Sequence, residues 1–167
     1  MIAKPMAAET PVTIDYLEGF PNFLSVCTSW AFGQWGCQSY GSYEQTRCEF
    51  EAATSSSMPL TLIAIENAVP AGMITLADRD FDGKSNLSPW LKSLYVHPFH
   101  RNKGIAALLI NRLEQEALRL GCKSLYLVTE DARVLYENSG WQAIDYVQTS
   151  FGLADLMTKA LPETPLA

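Results

Sequence analysis

The chain has four cysteines, Cys27, Cys37, Cys48 and Cys122, yet no Cys-x-x-Cys pair and no histidine at ligand spacing from any of them. That lack argues against both a zinc site and a disulfide framework, and makes a reducing, cytoplasmic setting the expectation. Clustered positive charge is also missing. Eighteen Asp and Glu outweigh twelve Lys and Arg, which disfavours a nucleic-acid surface, since phosphate backbones are held by grouped cations. An amine or other cationic substrate suits an acidic chain better. No apolar run is long enough to cross a bilayer, and Met1 to Thr10, with Lys4, Pro5 and Glu9, lacks the apolar centre of a secretory signal. A membrane partner is therefore not expected. Neither Gly-x-x-x-x-Gly-Lys-Ser/Thr nor Gly-x-Gly-x-x-Gly occurs, which weakens a nucleotide-binding reading. There is no internal repeat or low-complexity tract.

What is present is a chain of 167 residues, 48% of them hydrophobic, enough for one well-buried core. The expected organisation is a loose leader at 1–11, a single domain at 12–160 and a tail at 161–167, frayed after Lys159 around Pro162 and Pro165. Val12 to Tyr16 alternates as an opening strand. Apolar residues Phe23, Leu24, Cys27, Trp30 and Ala31 recur at helical spacing between Asn22 and Gln34, behind a starting Pro21. Tyr43 to Ala53 predicts a second helix. Leu60 to Ile65 and Met73 to Ala77 read as antiparallel strands joined through Asn67, Pro70 and Gly72. A polar loop from Asp78 to Asn86 leads to a strand at Trp90 to Val96. Ile105, Leu108, Leu109, Leu113, Ala117 and Leu120 then share one helical face, stopped by Gly121. A strand at Ser124 to Thr129 completes a parallel crossover. A short helix at Ala132 to Asn138 and strands at Trp141 to Val147 and Leu153 to Met157 close the chain.

The segment richest in chemistry is Val96-His97-Pro98-Phe99-His100-Arg101-Asn102-Lys103-Gly104-Ile105-Ala106, a tight loop between a strand and an amphipathic helix. A helix start exposes unpaired N–H groups and a partial positive charge, and the small residues Gly104 and Ala106 let an anion approach them closely. Arg101 adds a planar fork for phosphate oxygens. Taken alone, these residues equally describe an ordinary strand-to-helix turn with a solvated arginine.

The run from Pro89 to Trp141 resembles the core of the GNAT superfamily of N-acetyltransferases. The family's acetyl-CoA loop, Gln/Arg-x-x-Gly-x-Gly/Ala, is matched by Arg101-Asn102-Lys103-Gly104-Ile105-Ala106. Its setting matches too: Leu94-Tyr95-Val96-His97-Pro98 ahead, then the helix, Leu125-Tyr126-Leu127-Val128-Thr129, and Leu135-Tyr136-Glu137-Asn138-Ser139-Gly140-Trp141. The resemblance implies a mixed α/β fold with a mostly antiparallel central sheet flanked by helices, and a splayed parallel strand pair holding acetyl-CoA. It implies transfer of an acetyl group to an amine-bearing small molecule or peptide in a ternary complex, without a metal, and often a homodimer paired through the last strands.

By the same resemblance, the N–H of Leu94 polarises the acetyl carbonyl and Val96 pairs with the pantetheine amides. The N–H groups of Asn102, Lys103, Gly104, Ile105 and Ala106 surround the pyrophosphate beside Arg101, and Tyr136 is the general acid toward the departing thiolate. A phenol of pKa about 10 and a thiol of about 8.5 can exchange a proton at little cost; the alternative role for Tyr136 is ring packing.

The general base has no candidate at the family's usual place, because Pro89 to Val96 contains no carboxylate. Asp78, Asp80 and Asp82 could border the acceptor pocket or form a solvated turn. His97 and His100 read as loop residues beside the co-substrate. Trp30, Trp35 and Trp90 are either pocket walls or core. None of the four cysteines lies in the matched loop, which argues against a covalent route. Two rivals remain open: a non-catalytic acyl-CoA-binding regulator, and an acyltransferase with another donor or a hydroxyl acceptor.

Overall fold

The computed structural model describes residues 10–84 and 86–163. Most of the expected leader, Ser85 of the polar loop and the last four residues of the tail lie outside the described residues. The strands are β1 (Thr13–Tyr16), β2 (Leu60–Glu66), β3 (Val69–Ala77), β4 (Trp90–Val96), β5 (Ser124–Thr129), β6 (Gln142–Thr149) and β7 (Gly152–Ala160). The helices are α1 (Leu24–Ala31), α2 (Tyr43–Glu51), α3 (Ile105–Arg119) and α4 (Arg133–Glu137). The strands form one sheet in the order β1-β2-β3-β4-β5-β7-β6. Every neighbouring pair is antiparallel except β4 and β5, which run parallel. This is the mixed, mostly antiparallel α/β architecture that the resemblance implies.

The near-continuous apolar run of β2 reflects burial on both faces. Leu60, Leu62 and Ala64 join Ile74, Leu76 and the α3 residues Leu109, Ile110 and Leu113 in one cluster. Ile63 and Met73 point the other way, into a second cluster with Leu17, Cys27, Ala31 and Phe50. Alternation across the pleat therefore feeds two apolar layers at once. Complete burial of a leucine side chain contributes about 1.5–3 kcal/mol, so the α3 stripe is what fixes this helix to the sheet.

Several boundaries differ from the sequence expectation. The β2–β3 connector is only Asn67 and Ala68, with φ of 52° and 64°, a two-residue turn whose twist matches the flanking strands. Pro70 and Gly72 lie inside β3, and Pro70 sits opposite Ile65 where the register shifts, so its missing N–H falls at an irregularity. The first helix is shorter than Asn22 to Gln34: α1 is preceded by a 3-10 turn at Pro21–Phe23 and gives way to a π-helical turn at Phe32–Gly36. Helix α2 begins on a capping box, in which the Ser42 hydroxyl accepts from the Gln45 N–H and the Gln45 side chain accepts from the Ser42 N–H. Strands β6 and β7 both extend beyond their expected ends. β7 runs on past Lys159 to Ala160, and Leu161, 8% exposed, follows it into the core with its N–H bonded to the Lys123 carbonyl.

Candidate active site

Strands β4 and β5 share a single register pair, Trp90 with Tyr126. One further bond, from the Tyr126 N–H to the Pro89 carbonyl, marks where they touch. Beyond it, among the described residues, the β5-facing edge of β4 from Leu91 to Val96 has no strand partner, while β5 pairs along its whole length with β7. The strands part at a bulge. Met73 faces Tyr95 and Thr75 faces Lys92, so β4 carries an extra residue there, and Ser93 takes the left-handed conformation with φ of 55°. Gly72 allows this close approach, because a Cβ on it would lie 2.8 Å from the Tyr95 carbonyl oxygen.

The parting opens a cavity of about 740 Å³ whose walls include Leu91 to Val96 of β4, Val128 and Thr129 of β5, Arg101, Trp35 and Tyr136. Leu94 and Val96, singled out from sequence, thus lie on one wall with unpaired strand edge available. Strand edges present N–H and C=O groups that an extended amide-bearing molecule can use.

At the end of β4 the chain turns sharply. The His97 N–H bonds the Ala71 carbonyl at 2.9 Å, and the His97 carbonyl accepts from the His100 N–H at 2.8 Å, closing a 3-10 turn at Pro98–His100. Asn102 and Gly104 then take left-handed φ values of 62° and 78° before α3 begins. Among the described residues, no protein group accepts from the N–H groups of Asn102, Lys103, Gly104, Ile105 or Ala106. Five successive main-chain N–H groups without a protein acceptor thus sit at the positive end of the fifteen-residue α3, a set suited to a multiply charged anion. A Cβ on Gly104 would meet nothing within 4 Å. Glycine at this position serves the backbone conformation and access from outside, not internal packing.

Arg101 is held as well as exposed. Its Nε donates to the Val96 carbonyl at 2.8 Å and its guanidinium carbon lies 5.8 Å from the Tyr95 ring centre, leaving the terminal nitrogens for a ligand. The side chain of Lys103 is engaged within the protein, its Nζ 3.1 Å from each carboxylate oxygen of Glu66, while its main-chain N–H, the group that the resemblance implicates, has no protein acceptor among the described residues. Glu66, 8% exposed at the end of β2, also contacts His100 Nδ1. Hydrogen bonds from His100 and Lys103 hold the Glu66 carboxyl below the ordinary carboxylate range. Sequence reasoning missed Glu66, since nothing in a strand-end glutamate announces partners 34 and 37 residues later.

Tyr136 comes from the short α4, whose entry is fixed by the Ala132 N–H donating to the Thr129 hydroxyl. The ring packs edge-on against Trp141 at 5.9 Å and is 6% exposed. Its hydroxyl has no hydrogen-bond partner among the described residues, and Tyr136 lines the cavity. Burial, followed by the charges of Asp131 and Asp80, raises the phenol well above its usual value. At neutral pH it carries its proton. The ring of Tyr136 thus packs while its hydroxyl makes no hydrogen bond to the described residues.

Of the three loop aspartates, only Asp80 lines this cavity; Asp82 begins an exposed 3-10 turn and Asp78 borders a neighbouring pocket. Asp80 Oδ1 is 4.0 Å from Lys92 Nζ, which also faces Glu49 at 3.7 Å. Burial raises the Asp80 carboxyl; Lys92 pulls it down, and Glu130, Glu49 and Asp82 push it up again. His97 and His100 do not line the cavity. Trp35 does, whereas Trp30 packs on Tyr95 and His97 and the buried Trp90 donates its indole N–H to the Leu87 carbonyl. No cysteine lines the cavity, and burial lifts the Cys27 thiol to about 12.

Residues 24–141 match the family model described as acetyltransferase (GNAT) family. Over 73 residues the chain is 40% identical to the L-amino acid N-acyltransferase MnaT of Escherichia coli (strain K12), covering 43% of this chain. That match spans about two fifths of the relative's own length, 41%. An aminoglycoside 6'-N-acetyltransferase complexed with coenzyme A superimposes with a TM-score of 0.73 at 16% identity, over 92% of this chain and 99% of that one. The structure of yncA from Salmonella typhimurium with its cofactor acetyl-CoA gives 0.71 at 22% identity, over 93% and 96%. At such identities the two superpositions speak to fold, whereas the family match covers most of the sequence: the chain belongs to the acetyltransferase (GNAT) family.

Proposed function

We propose that this protein is an N-acetyltransferase that moves an acetyl group from acetyl-CoA to a primary amine of a small molecule or peptide, by direct attack within a ternary complex. One observation carries the reading: the parting of β4 and β5 opens a cavity lined by the strand edge at Leu94 and Val96, by Arg101, which immediately precedes the amide run at the start of α3, and by Tyr136. The donor's chemistry fits these residues. A pyrophosphate suits the unpaired N–H groups of Asn102 to Ala106 and the guanidinium of Arg101, and the amides of pantetheine suit the open edge of β4 at Leu94 and Val96.

In this reading Asp80 relieves the acceptor of a proton. An alkylammonium of pKa about 10.4 loses a proton at neutral pH only at a cost of about 4 to 5 kcal/mol, so a carboxylate at the cavity wall has a defined task. The freed amine nitrogen bonds to the acetyl carbon as the carbon–sulfur bond breaks, and the N–H of Leu94 steadies the negative oxygen. Tyr136 gives its proton to the departing sulfur and recovers one from the new amide nitrogen. Asp80 returns its proton to water, so the net products are the amide, free thiol and one proton.

The relatives' names point to L-amino acids and aminoglycosides as acceptors worth testing first. Four free thiols fit a reducing, cytoplasmic setting, and among the described residues no helix is long and apolar enough to cross a membrane. A homodimer would cover Ile144, Tyr146 and Leu153 of β6 and β7, which are 51%, 62% and 64% exposed. Free thiol release from acetyl-CoA, followed across L-amino acids, aminoglycosides, polyamines and short peptides, tests the activity. Amine-dependent release supports it, and silence across the panel despite tight coenzyme A binding favours a regulatory binding module.

A further inference from the structure

We infer that Glu66 is a positioning residue for the co-substrate loop, setting the direction of the amides that meet the pyrophosphate; this rests on the acetyl-CoA reading above. Its carboxylate grips the loop at two points, His100 Nδ1 through Oε2 and Lys103 Nζ through both oxygens. Those points bracket Asn102, whose left-handed φ of 62° is followed two residues later by Gly104 at 78°. A left-handed residue with a side chain costs roughly 1 kcal/mol and persists where its surroundings fix it. Glu66 supplies that fixing from a different element, the end of β2, which the sheet core already holds rigid.

Electrostatics sharpens the argument. A carboxylate beside a diphosphate site repels the ligand and offsets the charge of Lys103, so by charge alone Glu66 weakens binding. Its side chain is nonetheless 11% exposed and engaged with both loop residues. The benefit to the site is therefore geometric: a turn held in one conformation presents its N–H groups together and spares the ligand the ordering cost. Lys103, with a side chain 47% exposed, serves as the loop's handle for Glu66 and not as a phosphate ligand.

Calorimetry with coenzyme A and with pantetheine, which lacks the diphosphate, tests this on the wild type, Glu66→Gln, Glu66→Asp, Lys103→Met and the Glu66→Gln/Lys103→Met double variant. Glu66→Gln should weaken coenzyme A about tenfold and leave pantetheine unchanged. Glu66→Asp should recover part of the loss, and the double variant should bind no more weakly than the poorer single one, because both break the same link. Lys103→Met alters an exposed side chain and tests the link even if Glu66→Gln does not fold. Coenzyme A binding that is unchanged or tighter in Glu66→Gln overturns the inference. So do equal losses for both ligands, additive losses in the double variant, or wild-type affinity in Lys103→Met. A wild-type protein that ignores coenzyme A refutes the underlying reading and takes this inference with it.

Discussion

Arg101 is tied to Val96: its Nε donates to the Val96 carbonyl at 2.8 Å, across the turn between β4 and α3. The bond makes the last residue of the open strand edge and the guanidinium one unit, stacked against Tyr95. Arg101→Ala removes a charged donor from the anion site and a tether from the strand end. Coenzyme A affinity should fall by about 10- to 100-fold, the scale of one charge-assisted hydrogen bond, while pantetheine should lose much less. Equal losses for the two ligands in calorimetry would remove Arg101 from phosphate binding.

Tyr136→Phe keeps the ring against Trp141 and deletes only a hydroxyl that has no protein partner. Thermal stability should hold and coenzyme A affinity should be unchanged, while kcat falls by about 10²-fold or more, as for loss of a general acid. Because burial raises the phenol, its deprotonation should not limit the alkaline side of the pH profile below about pH 10. Undiminished turnover would leave Tyr136 a packing residue.

Asp80→Asn should lower kcat/KM for the acceptor by about 10²-fold at neutral pH, with the loss shrinking as pH rises and free amine becomes abundant. Asp82→Asn, in the same loop but away from the cavity, should keep wild-type rates. A pH profile of Asp80→Asn parallel to that of the wild type would contradict the role given to Asp80.

Away from the cavity, Glu116 is 4% exposed and gathers the Tyr16 hydroxyl, Arg112 and Arg119, stitching α3 to β1. Burial would raise its carboxyl, but hydrogen bonds from Tyr16, Arg119 and Arg112 outweigh burial and hold it below the usual value. A carboxyl lowered in the folded state stabilises above its unfolded pKa of about 4.3, and that contribution is lost as pH falls through the folded value. Glu116→Gln should cost about 2 to 3 kcal/mol at pH 7. The gap to wild type in thermal melts should narrow toward pH 3; a gap independent of pH would contradict this.

The sharp turn at Arg101 to Ala106 and the helix behind it were legible, because glycine placement and an amphipathic repeat are local signals; that the turn faces an anion came only from the resemblance. The order of strands 90–96 and 124–129 around that helix was legible for the same reason: periodicity changes from two to 3.6 and back. The tight Asn67-Ala68 turn was not, since alanine gives no sign of adopting a positive φ. Glu66 and Asp80 were beyond reach individually. What each touches is set by tertiary neighbours, the loop at His100 and Lys103 for one and the cavity wall near Lys92 for the other. The opening between β4 and β5 depends on the bulge at Ser93, which an ordinary serine within an apolar strand does not announce.

The most direct test of the central claim is a calorimetric titration of coenzyme A into the purified protein at several salt concentrations. The account predicts saturable binding at one site per chain that weakens as ionic strength rises, because amides at a helix start and one guanidinium hold a diphosphate. A folded protein that shows no binding, or binding indifferent to salt, would contradict it.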